Sequence, residues 1–273
     1  MKRLSVDGID FWCEDQAAGL PVLLVHGFPL DHRMWAEQMA ALAAPRDSAR
    51  RSGLRLIAPD LPGFGRSALR ADPATMERFA DDLAKLLDAL DVREPVVFCG
   101  LSMGGYIAFE FWRRWPSRLR SLILCDTRAA ADAPEVAVGR LTTADRVLRE
   151  GAGSLVESML PRVLGETTRR DRPDLVESVR QMMMSNPASG IAAAARGMAQ
   201  RSEMTGLLAE IRCPTLVVVG TEDLASPPAE VRAMADSIIG AEFVEIPGAG
   251  HLAPLENPTA FNRAVVEWAA RCG

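Results

Sequence analysis

Six short apolar runs, at residues 22–25, 54–58, 96–99, 122–125, 215–219 and 243–246, alternate along the chain with longer stretches of helical periodicity. A strand that meets water on neither face reads as a continuous apolar run of this length. The helical stretches fall at 33–44, 76–90, 103–115, 229–239 and 258–271. The second of them sets Phe79, Leu83, Leu86, Leu87 and Leu90 on one side and Asp81, Asp82, Lys85 and Asp88 on the other, the pattern of a helix lying on a core. Strand and helix in regular alternation build a parallel sheet covered on both faces. Ahead of the first run, residues 4–6 and 9–13 flank Asp7-Gly8, which predicts an opening β-hairpin.

The alternation stops between about residue 129 and residue 210, where amphipathic helical patterns are punctuated by Pro134, Pro161, Pro173 and Pro187. This stretch is expected to be a helical insertion over the sheet, dividing the core into residues 1–128 and 211–273. A closed barrel of eight βα units fits the length but leaves no room for such a block.

Composition narrows the partners. With 48% hydrophobic and 25% charged residues, the chain is globular and long enough to bury a core without a disulfide or a metal. A net charge of −5 and the lack of any dense Lys/Arg cluster make nucleic acid and anionic membranes poor partners. No apolar run approaches a bilayer span. Asp7, Asp10 and Glu14 stand where the apolar core of a signal peptide would lie, so no secretory signal is expected. Five cysteines, Cys13, Cys99, Cys125, Cys213 and Cys272, form no CxxC pair. Their odd number suits a reducing cytoplasm.

Gly100-Leu101-Ser102-Met103-Gly104 matches G-x-S-x-G, with a strand-like run before it and a helical stretch after it. That setting puts the serine on a sharp strand-to-helix turn with its hydroxyl exposed, and the turn tolerates only glycine at its crowded neighbours. A serine hydroxyl needs a base within hydrogen-bond reach and a third group to orient that base. Of three histidines, His26 ends a strand, His32 opens a helix, and His251 lies in a glycine-rich loop after the last strand. The order serine, acid, histidine makes His251 the candidate base and His26 a buttress for its own loop. The acid should follow an intervening strand: Asp223 in Gly220-Thr221-Glu222-Asp223 is the first choice, with Asp126 and Glu222 as alternatives. The backbone N–H groups of Met103 and Phe28 are the candidate oxyanion donors, since Pro29 has no N–H.

Other motifs carry less. Gly248-Ala249-Gly250-His251-Leu252-Ala253 fits G-x-G-x-x-G/A, but too little chain follows for a βαβ unit, so no nucleotide cofactor is expected. There is no P-loop and no HExxH, so neither a phosphate site nor a catalytic metal is expected. Asp60-Leu61-Pro62-Gly63-Phe64-Gly65-Arg66-Ser67 should form a loop at the same rim of the sheet, shaping the pocket. Phe28, Leu30, Met103 and the methionines of the insertion, among them Met159, Met182, Met183, Met184, Met198 and Met204, are candidate apolar walls. Arg128 is a candidate partner for a substrate carboxylate.

Taken in order, HGFP, DLPGFGRS, GLSMGG, GTED and GAGHLAPLENP resemble the α/β-hydrolase superfamily over essentially the whole chain. Within it the segments around Ser102 and His251 resemble those of 3-oxoadipate enol-lactonase-like esterases and of cofactor-free haloperoxidases. The resemblance implies an eight-stranded, mostly parallel sheet flanked by helices, with a helical cap. It implies hydrolysis of small carboxylic esters or lactones through an acyl-enzyme on Ser102, His251 and Asp223, without cofactor or metal. Ser102 occupies the place where epoxide hydrolases and haloalkane dehalogenases carry an aspartate, which argues against both chemistries. Carbon–carbon bond hydrolysis, thioester cleavage, perhydrolysis and a non-catalytic ligand-binding role on the same scaffold stay open from sequence, as does the oligomeric state.

Overall fold

The computed structural model describes residues 1–43 and 53–272. Eight strands form one sheet: β1 (Lys2–Val6), β2 (Ile9–Gln16), β3 (Leu20–Val25), β4 (Leu54–Pro59), β5 (Val96–Leu101), β6 (Leu119–Cys125), β7 (Thr215–Gly220) and β8 (Glu242–Ile246), in the order β1-β2-β4-β3-β5-β6-β7-β8. β2 pairs antiparallel with β1 and β4; every other pairing is parallel. The opening hairpin turns at Asp7 and Gly8, both at positive φ (49° and 75°), as a tight two-residue turn requires. β5 and β7 are buried at every position, which is why their sequences are apolar without alternation.

The helices of the core are α1 (Ala36–Leu42), preceded by a 3-10 turn over His32–Trp35, then α2 (Met76–Ala89) and α3 (Met103–Arg114). Between β6 and β7 come α4 (Pro134–Glu150), α5 (Gly153–Val163), α6 (Glu166–Asp171), α7 (Pro173–Met184) and α8 (Ala188–Met198), then a 3-10 turn over Thr205–Glu210, with no strand among them. α9 (Pro228–Asp236), α10 (Ala253–Glu256) and α11 (Pro258–Cys272) complete the chain. The helix expected over 33–44 thus begins as a 3-10 turn; Ala44 lies outside the described residues.

The strand order reverses between β3 and β5. The chain leaves β3 for β4 on one side, then crosses from β4 over β3 to β5 and continues to β6. Right-handed crossovers in opposite directions put their helices on opposite faces. α2 accordingly packs on α3, whereas α1 packs on α10 and α11. Ligands of such sheets sit beyond the carboxyl ends of the strands at the reversal, and Val25 and Gly100 lie side by side there in the β3–β5 register. No helix among the described residues is long and apolar enough to cross a membrane. Cys13, Cys99, Cys125 and Cys213 are free; the side chain of Cys272 lies outside the described residues.

Candidate active site

Ser102 stands between β5 and α3 with φ 53° and ψ −111°, a left-handed conformation that costs a non-glycine residue about 1–3 kcal/mol. Its N–H donates to Cys125 O (2.9 Å) and its carbonyl accepts from Thr127 Oγ1 (2.8 Å), so the end of β6 and the segment just after it hold the turn from both sides. A Cβ on Gly100 would lie 2.2 Å from Gly104 O, and one on Gly104 would lie 2.3 Å from Val25 O. Close crossing of strand and helix is therefore the reason for glycine at both positions.

His251 follows β8, and its Nε2 lies 2.8 Å from Ser102 Oγ. Its Nδ1 lies 2.8 Å from Asp223 Oδ2, in the loop after β7. A carboxylate only accepts, so the ring proton sits on Nδ1 and the Nε2 lone pair faces the serine hydroxyl. Asp223 is buried, and its other oxygen accepts the N–H groups of Ala225 (2.8 Å) and Ser226 (2.9 Å). The carboxylate thus keeps no freedom to turn.

The two alternative acids are placed elsewhere. Asp126, fully buried at the end of β6, accepts Gly220 N at 2.8 Å through Oδ1, and no described group donates to Oδ2. Burial, and then the charge of Asp223, push its pKa well above the usual carboxylate range. It stands behind the constellation, hydrogen-bonded to β7 and not to His251. Glu222 points away and accepts from Thr167 through both oxygens (2.8 Å from N, 2.5 Å from Oγ1); the Thr167 hydroxyl is the main cause of its lowered pKa.

The N–H groups of Phe28 and Met103 make no hydrogen bond to any described residue. Both border the turn, since a Cβ on Gly27 would lie 3.3 Å from Ser102 Cβ. His26 supports this loop: fully buried, it accepts Leu61 N through Nε2 (3.1 Å), and its Nδ1 lies 3.0 Å from Gly27 O. Burial lowers its pKa, as suits a neutral ring. Asp60 accepts His32 N and His32 Nδ1 (3.1 and 2.6 Å) and Arg66 N (2.9 Å), which curls residues 60–67 around its carboxylate. Asp31, His32 and Asp60 bring potential ligand atoms within 4.8 Å of one another, but Asp31 is held by the Arg33 guanidinium at 2.8 and 2.6 Å.

A cavity of about 500 Å³ opens above Ser102 and His251. Phe28, Val136, Leu155, Met159, Val163 and Met198 give it apolar walls, and Tyr106, Arg128, Asp132, Arg140 and Arg162 give it polar ones. Two expectations need correction. Leu30 is fully buried and does not line the cavity, because the chain folds back so that Leu30 N donates to Gly27 O at 2.9 Å. The side chain of Met103 is likewise buried in the core. Of the methionines, Met159 and Met198 reach the cavity; Met182 and Met183 are core residues of α7, Met184 is exposed and Met204 packs below. Arg128 does line it, with Nη2 donating to Ala225 O and Nε without a partner.

Sequence reasoning missed Glu256 and Asn186. Glu256 is buried and accepts Gly165 N (2.8 Å), Gly250 N (3.0 Å) and Leu252 N (3.0 Å). Asn186 joins the two rim loops, accepting Gly65 N (2.7 Å) and donating to Pro29 O (2.9 Å). Glu256 stands within the segment GAGHLAPLENP, where its nearness to Gly250 and Leu252 was the available signal; the partners of Asn186 lie far away in the sequence, and no motif announces it.

Comparison with known proteins agrees with the architecture. A thermophilic esterase from Thermogutta terrifontis, solved with malate bound, shares 47% identity and a TM-score of 0.93 over 99% of this chain and 98% of its own. The enol-lactonase of Burkholderia xenovorans LB400 shares 28% identity and a TM-score of 0.88 over 98% of this chain and all of its own. By sequence, 3-oxoadipate enol-lactonase 1 of Acinetobacter baylyi is 29% identical over 231 residues, 85% of this chain and 81% of that protein. Residues 21–258 match the family described as alpha/beta hydrolase fold. The chain belongs to the α/β-hydrolase family.

Proposed function

We propose that the protein hydrolyses small carboxylic esters or lactones through an acyl-enzyme, with Ser102 as nucleophile, His251 as base and Asp223 as the acid that orients it. The observation that carries this reading is the pair of 2.8 Å contacts from the two nitrogens of His251, one to Ser102 Oγ and one to Asp223 Oδ2. Ser102 Oγ attacks the carbonyl carbon while its proton passes to His251 Nε2, and Asp223 stabilises the imidazolium. The carbonyl oxygen, now an oxyanion, is received by the N–H groups of Phe28 and Met103, each contributing about 2.7–4 kcal/mol in the transition state. Collapse expels the alkoxide, which takes the proton from Nε2. Water then attacks the acyl-enzyme with its proton passing to Nε2, and the acid leaves as Ser102 regains its own.

Residues 129–210 serve as the cap over a core of 1–128 and 211–273, contributing most of the cavity wall. The wall is cationic on balance. Arg140 and Arg201 share Asp132 and Arg128 pairs with Glu230 at 4.0 Å, whereas Arg162 has no polar partner among the described residues. In a chain of net charge −5, this favours an ester or lactone bearing a carboxylate. Similarity to enol-lactonases supports the same substrate class. Free cysteines fit a cytoplasmic setting.

The test is turnover of a short p-nitrophenyl ester, with covalent labelling by a fluorophosphonate. Ser102→Ala should abolish both, and His251→Ala should lower kcat by about 10⁴-fold or more. Undiminished turnover in either variant overturns the assignment. A parallel screen of lactones, thioesters and β-diketones ranks the bond cleaved.

A further inference from the structure

Three consecutive amides of the base loop are all bound, and one carboxylate binds two of them. Glu256 stands five residues after His251, and its Oε1 accepts both Gly250 N and Leu252 N at 3.0 Å. Its Oε2 accepts Gly165 N at 2.8 Å, in the link between α5 and α6. The amide between them, His251 N, donates to Val163 O at 3.0 Å. The two backbones touch directly, since a Cβ on Gly250 would lie 2.3 Å from Gly165 N. No Lys, Arg or His pairs with the Glu256 carboxylate among the described residues, so neutral donors alone hold it. Those donors point N–H groups at both oxygens, while burial raises the pKa of the carboxyl. Beside it, Glu222 ties the loop of Asp223 to Thr167 in the same segment.

We propose that Glu256 is a positioning residue for the hydrolysis: its two acceptor oxygens fix the backbone of His251 where Nε2 reaches Ser102, and they fasten residues 163–168 to the catalytic framework. This rests on the triad reading above. Its physical content is leverage. His251 reaches the serine through two rotatable bonds, so a shift of its Cα moves Nε2 by a similar distance, and about 1 Å of misplacement costs about 100-fold in rate. Residues 163–168, though part of the helical insertion, then belong with the reacting groups and not with a movable wall.

Glu256→Gln keeps the shape and replaces one acceptor by an NH₂ group. Turned either way, that group faces an N–H donor, at Gly165 or at Gly250 and Leu252. The expected result is a kcat about 10- to 100-fold lower with KM for a short p-nitrophenyl ester unchanged. Fluorophosphonate labelling should slow in parallel, and the low-field proton resonance of His251 Nδ1–H should shift or broaden. A folded variant with the parent kcat overturns the proposal, and so does a loss of kcat with that resonance unmoved. If Glu256→Gln does not fold, Thr168→Val removes the buried hydroxyl that lowers the pKa of the same carboxyl. It should lower kcat about two- to fivefold at constant KM, and the parent kcat there is equally fatal. Ser102→Ala measured alongside separates the two levels, because turnover surviving it refutes the serine-hydrolase reading itself.

Discussion

Asp223→Asn tests the constellation most sharply, because its consequence can be worked out atom by atom. Oδ1 of Asp223 receives two backbone N–H groups, from Ala225 and Ser226. An asparagine must keep its carbonyl oxygen there, which places its NH₂ where Oδ2 now meets His251 Nδ1. The ring then has to accept at Nδ1 and carry its proton on Nε2, pointing it at Ser102 Oγ in place of a lone pair. The base is present but in the wrong tautomer. A loss of about 10⁴ in kcat follows, equivalent to about 5.4 kcal/mol at 1.36 kcal/mol per decade. Asp126→Asn is the matched control. That carboxyl is equally buried, its pKa is raised by burial and by Asp223, and it bonds Gly220 N and not His251, so an isosteric amide should leave kcat within about threefold. Steady-state kinetics on a p-nitrophenyl ester, with circular dichroism to show both variants folded, decide the matter. A tenfold or smaller loss in Asp223→Asn, or a comparable loss in Asp126→Asn, refutes the assignment of the acid.

Arg162→Glu, at a cavity-lining arginine with no polar partner among the described residues, should raise KM for a carboxylate-bearing ester about tenfold and leave a neutral ester of equal size unaffected; equal changes for both refute the anionic preference. Asn186→Ala strands Gly65 N and Pro29 O and should cost about 1–3 kcal/mol in urea unfolding; an unchanged midpoint refutes the bridge between the rim loops. Burial pushes the Cys13 thiol up to about 12, so only about one molecule in 10⁴ is thiolate at pH 8. Iodoacetamide should leave Cys13 unmodified in the native protein at pH 8, by mass spectrometry, and rapid alkylation would contradict its burial.

The sheet was legible wherever a local rule was strong. Asp7-Gly8 announces its turn because few other pairs accept positive φ at both positions, and β5 announces itself because no residue from Val96 to Leu101 can afford polarity. The turn at Ser102 was legible for a related reason: strand, helix and glycine requirements coincide within a few residues. Asp223 and Asp126 each follow a strand with identical chemistry, and only burial and the neighbouring donors distinguish them. Leu30 shows the opposite limit. An apolar residue beside a cavity and one folded back beneath it look the same in sequence, and a single hydrogen bond from Leu30 N to Gly27 O decides between them. The run Met182-Met183-Met184 likewise divides between core and solvent by helix phase alone.

The helical insertion is fastened to the core at its later elements. Val163 O and Thr167 bond the two loops bearing His251 and Asp223, Gly165 N bonds Glu256 in α10, Asn186 bonds both rim loops, and Ala193 O in α8 accepts Ala74 N at 3.0 Å. α4, by contrast, buries only Ala144 and Val147, yet α4 and α5 supply Val136, Arg140, Leu155, Met159 and Arg162 to the cavity. On the proposed function, selectivity and reactivity are therefore written in separable stretches of chain. Grafting residues 134–162 from another member of the family would exchange the acyl groups admitted while every bond that aligns the imidazole stayed in place.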